Sequence, residues 1–313
     1  MMIQTDPVQQ NVFVRVYKRL SSERMGEFLT GYVMLMPAML LLAIFFFYPI
    51  LFVFSLAFQD YNLLRNEGTW IGLENFKRLF DDGVFHRSLY NTFFYVIGVV
   101  PVQTAIAVLL ALIVNANIRG KTFFRAAYFI PSITASVVAS LIFLYIYSRN
   151  GMLNSFLSWF GVEPRVWFED PTFALPSIMV MNIWSTIGQL MVLFLAGLQD
   201  IPEDVYEAAA IDGASPVQRF FYITLPLLKP TMFFVVVTGF IGTFQIFDQA
   251  FIVSGGTGGP QNATMTMALY LYINAFDYMD MGYAAAIAFV LFVIIFTVTV
   301  IQKSLFGDGS NLR

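Results

Sequence analysis

The sequence predicts an all-α polytopic membrane protein with six transmembrane helices and a cytoplasmic helix-turn-helix loop. Three observations predict it: scarce and segregated charge, six long apolar runs, and an uneven sharing of Lys and Arg among the loops. Of 313 residues, 58% are hydrophobic and 12% charged, where a soluble domain carries about 25% charged residues. Mean hydropathy is +0.72. The runs 32–58, 92–114, 126–148, 173–198, 231–254 and 281–301 hold 144 residues and one charge, Asp248. Spreading the 17 basic and 20 acidic side chains evenly would put about 17 charges there. Each run reaches the roughly 20 apolar residues that cross a bilayer core. Continuity of the runs, rather than alternation, argues against a β-barrel.

Taken in order, residues 1–31 form a cytoplasmic N-terminal segment and 32–313 the transmembrane domain. Val8, Val12, Val16 and Leu20 recur at helical spacing beside a basic side, so 8–29 reads as a helix lying in the membrane interface. The first run is no cleaved signal peptide: it is 27 residues long, follows a polar segment and lacks an A-x-A site. Loop 59–91, with Tyr61 and Trp70-Ile71-Gly72, suits a folded cap at the water boundary. Of the 17 Lys and Arg, 11 fall in the N-terminal segment, loops 115–125 and 199–230, and the tail. The positive-inside rule therefore places both termini in the cytoplasm. Loops 59–91, 149–172 and 255–280 then face outward with ten acidic residues.

Loop 199–230 has the densest punctuation outside the runs. Asp200 with Glu203 is a capping-box pattern, and Pro202, Glu203 and Asp204 suit a first helical turn. That helix passes through Ala208-Ala209-Ala210 and stops at Gly213, which takes a left-handed conformation readily. Ser215-Pro216-Val217-Gln218 starts a second helix, which should end before Pro226. The alanine side of the first helix offers a surface that another backbone can approach closely.

Composition excludes several chemistries. There is no cysteine and a single histidine, His86, so thiolate nucleophiles, disulfides and Cys/His metal sites drop out. Gly120-Lys121-Thr122 is not a P-loop, because the leading glycine is replaced by Asn115 and no strand precedes it. Gly255-Gly256-Thr257-Gly258-Gly259-Pro260 lacks the lysine of a phosphate cradle; it reads as a span terminator or as a flexible outward surface. The polar residues inside spans carry more meaning, since an unsatisfied polar group in lipid costs several kcal/mol. Asn182, Ser185/Thr186 and Gln189 share one helical face, with Trp184 beside them, and Gln245 and Asp248 are three apart. Such a set could bind sugar hydroxyls or could merely join helices by hydrogen bonds.

Glu207-Ala208-Ala209, Gly213, Ile223, Leu225 and Pro226 fit E-A-A-x(3)-G-x(9)-I-x-L-P at every position. This resembles the EAA loop of bacterial binding-protein-dependent ABC import permeases. Pro37…Tyr48-Pro49, Trp70-Ile71-Gly72-Leu73-Glu74-Asn75-Phe76 and Tyr206 through Ala214 resemble the carbohydrate-uptake group, and within it the maltose-type first permease. Loop 59–91 is too short for the large outward domain of the maltose permease itself.

The resemblance implies a type I permease fold in a bacterial cytoplasmic membrane. Glu207, Ala208, Ala209, Asp212, Gly213, Ile223, Leu225 and Pro226 would couple to ATPase subunits. The substrate path would be lined by Ser132, Ser136, Asn182, Trp184, Ser185, Thr186, Gln189, Phe244, Gln245 and Asp248. Implied partners are a second homologous permease, two ATPase subunits that bind ATP and Mg, an extracytoplasmic solute-binding protein and a di- or oligosaccharide or polyol. Nucleic acid is not among them, no cofactor is expected in this chain, and the chain itself would not be an enzyme. A non-sugar polar or cationic solute, an ion-coupled secondary transporter and a membrane-embedded enzyme are the competing readings. ATP dependence of uptake and co-purification of an ATPase separate them.

Overall fold

The structure, a computed structural model, describes residues 26–64, 67–116 and 119–306. The interfacial-helix expectation for 8–29 therefore lies outside the described residues up to residue 25. From Gly26 the chain is helical, and α1 (Gly26–Leu56) contains a widened π turn at Ala43–Phe47. This helix, up to Ser55, is a unit of its own. Leu56 onward forms the second unit.

The expected outward cap is a two-stranded antiparallel hairpin, β1 (Gln59–Asn62) with β2 (Glu67–Trp70), followed by α2 (Glu74–Asp81). Trp70 stacks on Phe58 at 5.5 Å between ring centroids. The next helix, α3 (Gly83–Asn115), begins nine residues before the apolar run, because Asp82 caps it. The Asp82 carboxylate accepts from the amides of Val84 at 2.8 Å and Phe85 at 3.2 Å.

The third run departs from a single span. It forms α4 (Lys121–Phe129), a 3-10 turn at Ile130–Ile133, and then α5 (Ser136–Ile146), bent by 99° at the break. The break lies at Thr134 and Ala135, whose backbones are extended, with ψ 130° and 138°; Pro131, within the 3-10 turn, removes an amide donor that a continuing α-helix would use. Next come α6 (Met152–Ser158) and α7 (Ala174–Gln199), an unbroken span.

In loop 199–230, α8 (Glu203–Ile211) ends at Gly213 with φ +78°. The Ala214 amide bonds the Ala209 carbonyl at 2.9 Å and the Gly213 amide bonds Ala210 at 3.1 Å, the paired bonds of a Schellman terminus. The expected Asp200–Glu203 box is not formed. Pro202 is the N-cap, without a side-chain cap bond, since a proline directly before Glu203 moves the helix start past reach of Asp200. The second box is present: Ser215 Oγ accepts from the Gln218 amide, and the Gln218 side chain accepts from the Ser215 amide. This helix, α9 (Pro216–Arg219), does not stop before Pro226. It continues through a π turn, Phe220–Thr224, into Leu225–Leu227. The wider turn accommodates the proline ring, which in a regular helix would collide with the carbonyl four residues back.

The fifth span is also interrupted. It comprises α10 (Lys229–Phe244) and α11 (Asp248–Ser254), separated by Gln245–Phe247. The glycine run terminates α11, with Gly255, Gly256 and Gly258 all at positive φ. After α12 (Met267–Tyr272), α13 (Met281–Phe306) closes the bundle.

The apolar packing of the second unit gathers in three clusters. One joins Phe85, Val96, Met267, Tyr283 and Ile287 under the cap. Another centres on Tyr95, Ile178 and Met181. The third joins Ala107, Val114, Phe194, Leu198 and Leu228 beside the α8–α9 hairpin.

Candidate functional site

The hairpin is built as a rigid unit on the end of the bundle. Tyr206 of α8 reaches the buried Thr224, hydroxyl to hydroxyl, at 3.0 Å. Ala209 is buried against the protein, while Glu207, Ala208, Ala210 and Asp212 are exposed. Ile211 and Tyr222 are also exposed, at 87% and 78%, leaving apolar side chains on the outside of a loop. An exposed apolar surface rimmed by acidic groups has the character of a docking face. Of the residues expected to couple, Ile223, Leu225 and Pro226 are half-buried in the second arm and position it rather than project from it.

The residues expected to line a path divide into separate groups. Asn182, Thr186 and Gln189 of α7 border a cleft of about 350 Å³ between α3, α7 and α10. Here Thr186 Oγ1 donates to Gln103 Oε1 at 2.9 Å, and Asn182 Oδ1 is buried without a partner. Gln103, 2% exposed, belongs to this group although the sequence argument passed over it. Its signal was present, an amide inside the otherwise apolar run 92–114.

Trp184 and Ser185 lie away from that cleft. Trp184 packs edge-on against Phe143 at 5.3 Å, and Ser185 Oγ returns to the Met181 carbonyl at 3.1 Å. Ser132 joins α7 from the other side, where its Oγ accepts from the Gln189 amide at 3.0 Å. That contact is possible because Gly188 lets the Tyr128 carbonyl come close: a Cβ there would lie 1.9 Å from the oxygen.

Two expectations on the fifth span are corrected. Phe244 does not line a cavity; it is 1% exposed and packs edge-on against Phe93 at 5.3 Å. Gln245 and Asp248 do not share a helical face, because the helix breaks between them. Gln245 borders a largely apolar cleft with Leu291, Phe292 and Phe296 of α13. Asp248 instead accepts a hydrogen bond from Ser136 Oγ at 2.6 Å. That bond joins the two points where spans are interrupted, the start of α5 and the start of α11.

A further polar group centres on Asp82, outside the spans, and reaches Tyr283 at the start of α13. Besides capping α3, Asp82 accepts from the hydroxyls of Tyr270 and Tyr283 through Oδ2. Burial pushes its carboxyl up, but bonds from Tyr270, Tyr283 and the amides of Phe85 and Val84 outweigh that and hold it below the ordinary range. Burial and the Asp82 contact push the Tyr270 hydroxyl up to about 12. Arg78 bridges to Asp280 at 2.6 Å and lies 4.0 Å from the centre of the Tyr283 ring. The group fastens the cap to the start of α13. Periodicity does not reveal it, since its members are about 200 residues apart.

With the geometry in hand, comparison with known proteins places it. Residues 80–306 match the family described as binding-protein-dependent transport system inner membrane component. A probable ABC transporter permease protein, YesP, of Bacillus subtilis is 38% identical over 276 residues, 87% of this chain and 89% of its own. The arabinooligosaccharides transport system permease protein AraP of Halalkalibacterium halodurans is 34% identical over 313 residues, covering 98% of each chain. Among solved structures, a chain of a bacterial alginate ABC transporter, in complex with alginate pentasaccharide-bound periplasmic protein, superposes with a TM-score of 0.79. It is 22% identical, covers 90% of this chain and 96% of its own, and supports the fold.

Proposed function

We infer what the chain does from its kinship: it belongs to the family of binding-protein-dependent transport system inner membrane components. We propose that it carries a di- or oligosaccharide, or a sugar-like polyol, through a bacterial cytoplasmic membrane as one half of an ATP-driven importer. A second homologous permease completes the path, two ATPase subunits bind ATP and Mg, and an extracytoplasmic binding protein delivers the solute. Both termini lie in the cytoplasm, consistent with the Lys and Arg distribution.

The observation that carries this reading is the hairpin 199–230. Its two arms are locked by a Schellman turn, a capping box and the Tyr206–Thr224 bond. It is therefore stiff enough to pass a displacement on. Glu207, Ala208, Ala209, Asp212 and Gly213 form the part that meets the ATPase, while Ile223, Leu225 and Pro226 anchor the second arm. Closure of the ATPases moves helices Glu203–Ile211 and Pro216–Arg219 as levers, and the spans swing from inward-open to outward-open. The relatives named for arabinooligosaccharides and lactose support the solute class, as do the amides and hydroxyls of Gln103, Asn182, Thr186 and Gln189. Ser132, Ser136, Trp184, Ser185, Gln245 and Asp248 complete or support the path.

Reconstitution of the whole complex tests this. Saccharide uptake into proteoliposomes should require ATP, the binding protein and this chain, and the chain alone should hydrolyse no ATP. Uptake that persists without ATP, or follows an ion gradient, would replace the reading by secondary transport.

A further inference from the structure

Two breaks in spanning helices meet in this fold. The third span is interrupted at Thr134 and Ala135, before Ser136 begins its second segment, and the fifth at Gln245–Phe247, before Asp248 begins its own. Non-helical backbone at membrane depth is tolerated only where it is covered by protein or faces water. Asp248 is exposed within this chain, with Ser136 Oγ 2.6 Å from its carboxylate. A carboxylate turned to lipid would be costly, so an exposed one beside two breaks marks a wet path. The six apolar runs contain no Lys or Arg to neutralise it. The α7 cleft adds amides and hydroxyls and no cation.

We propose that Asp248 sets the charge class of the transported solute: the path accepts uncharged or cationic solutes and rejects saccharides bearing carboxylate or sulfonate groups. This rests on the importer reading above. The chemistry is direct. Ser136 occupies Oδ2 from one side, and the carboxylate's other lone pairs are free to accept hydroxyl donors from a neutral sugar, in bonds stronger than those between neutral groups. A solute with its own anionic group brings a like charge and no donor. At about 5 Å in a partly hydrated path, that repulsion corresponds to roughly a tenfold loss of affinity. The same scaffold serves acidic cargo elsewhere: a second solved chain that shares this fold, with a TM-score of 0.74, belongs to a bacterial ABC transporter involved in the import of the acidic polysaccharide alginate. The selection inferred here therefore lies in side chains of this chain and not in the fold.

The test uses the assembled transporter in lipid nanodiscs without its binding protein, so that selection by that protein does not intervene. Saturation-transfer NMR would measure binding of maltotriose, arabinotriose, trigalacturonate and spermidine. The expected result is binding of a neutral trisaccharide, with trigalacturonate at least about tenfold weaker. Asp248→Asn should bring trigalacturonate to within about threefold of the neutral sugar, and Asp248→Glu should restore the gap. Trigalacturonate binding as tightly as the neutral sugars, or an unchanged ratio in Asp248→Asn, would overturn the proposal. Binding of spermidine alone, lost in Asp248→Asn, would support the charge rule while refuting the sugar reading. Binding of none of the four would overturn the assignment of Asp248 to a solute path. Co-purification of the ATPases with each variant shows that assembly is intact.

Discussion

The Tyr206 hydroxyl lies 3.0 Å from that of Thr224, so a hydrogen bond joins the two arms of the 199–230 hairpin across 18 residues of chain. Thr224 Oγ1 also lies 3.3 Å from the Arg219 carbonyl, and either hydroxyl can donate in the Tyr206–Thr224 pair. Tyr206→Phe should cost about 1 kcal/mol locally, because a buried hydroxyl loses its partner while the ring remains. Amide exchange across 215–224 should quicken in this variant without loss of the complex. Unchanged exchange would mean that the arms are held together by packing alone.

Gly213 separates two effects of substitution. Its φ of +78° strains any residue with a Cβ, yet a Cβ there would meet nothing within 4 Å. Gly213→Ala should therefore cost about 1 kcal/mol, from backbone strain only. Gly213→Asn should cost less, since asparagine tolerates the left-handed region. Co-purification of the ATPases should fall in the order Gly, Asn, Ala. Equal recovery for all three would show that the turn is not limiting for docking.

At Gly188 the backbone conformation is ordinary and space decides. An added Cβ would sit 1.9 Å from the Tyr128 carbonyl and 2.7 Å from Ser132 Oγ. Gly188→Ala should push α4 from α7, break the Ser132–Gln189 bond and destabilise by about 1–3 kcal/mol. Thermal unfolding of the complex would report it. Gly83→Ala, where a Cβ meets nothing within 4 Å, is the control with little effect.

Asp82 predicts acid sensitivity at the end of the bundle that carries the β-hairpin. Its carboxyl is held below the ordinary value of 3.8 in the folded protein. As pH falls, the unfolded chain takes up this proton first. The contribution to stability is therefore whole above 3.8 and disappears as pH falls through the folded value. The thermal stability gap between wild type and Asp82→Ala should be constant near neutral pH and close below 3.8. A gap that persists in strong acid would leave the Tyr270 and Tyr283 bonds with no electrostatic part.

What the sequence by itself determined is local and one-dimensional. Apolar runs longer than a bilayer core require spans, because no other structure satisfies a backbone in lipid. Gly213 and the Ser215–Gln218 box act within a few residues, and so the hairpin was legible down to its turn. The EAA pattern was legible for the same reason.

Tertiary structure decided whatever depends on partners far along the chain. The Thr134–Ala135 and Gln245–Phe247 segments break their spans, and only folding brings the breaks together so that Ser136 meets Asp248, 112 residues away. Helical periodicity placed Gln245 beside Asp248, but that inference holds only while the helix continues. The family resemblance put Phe244 on the path, although neighbours such as Phe93 bury it in a core. Gln103 shows the converse: a lone amide in an apolar run gains its meaning from Thr186, 83 residues on. Hydrophobic pattern fixes which residues must leave water, but it is non-directional, and the pairing of polar groups inside a bundle is set by where the helices cross and break.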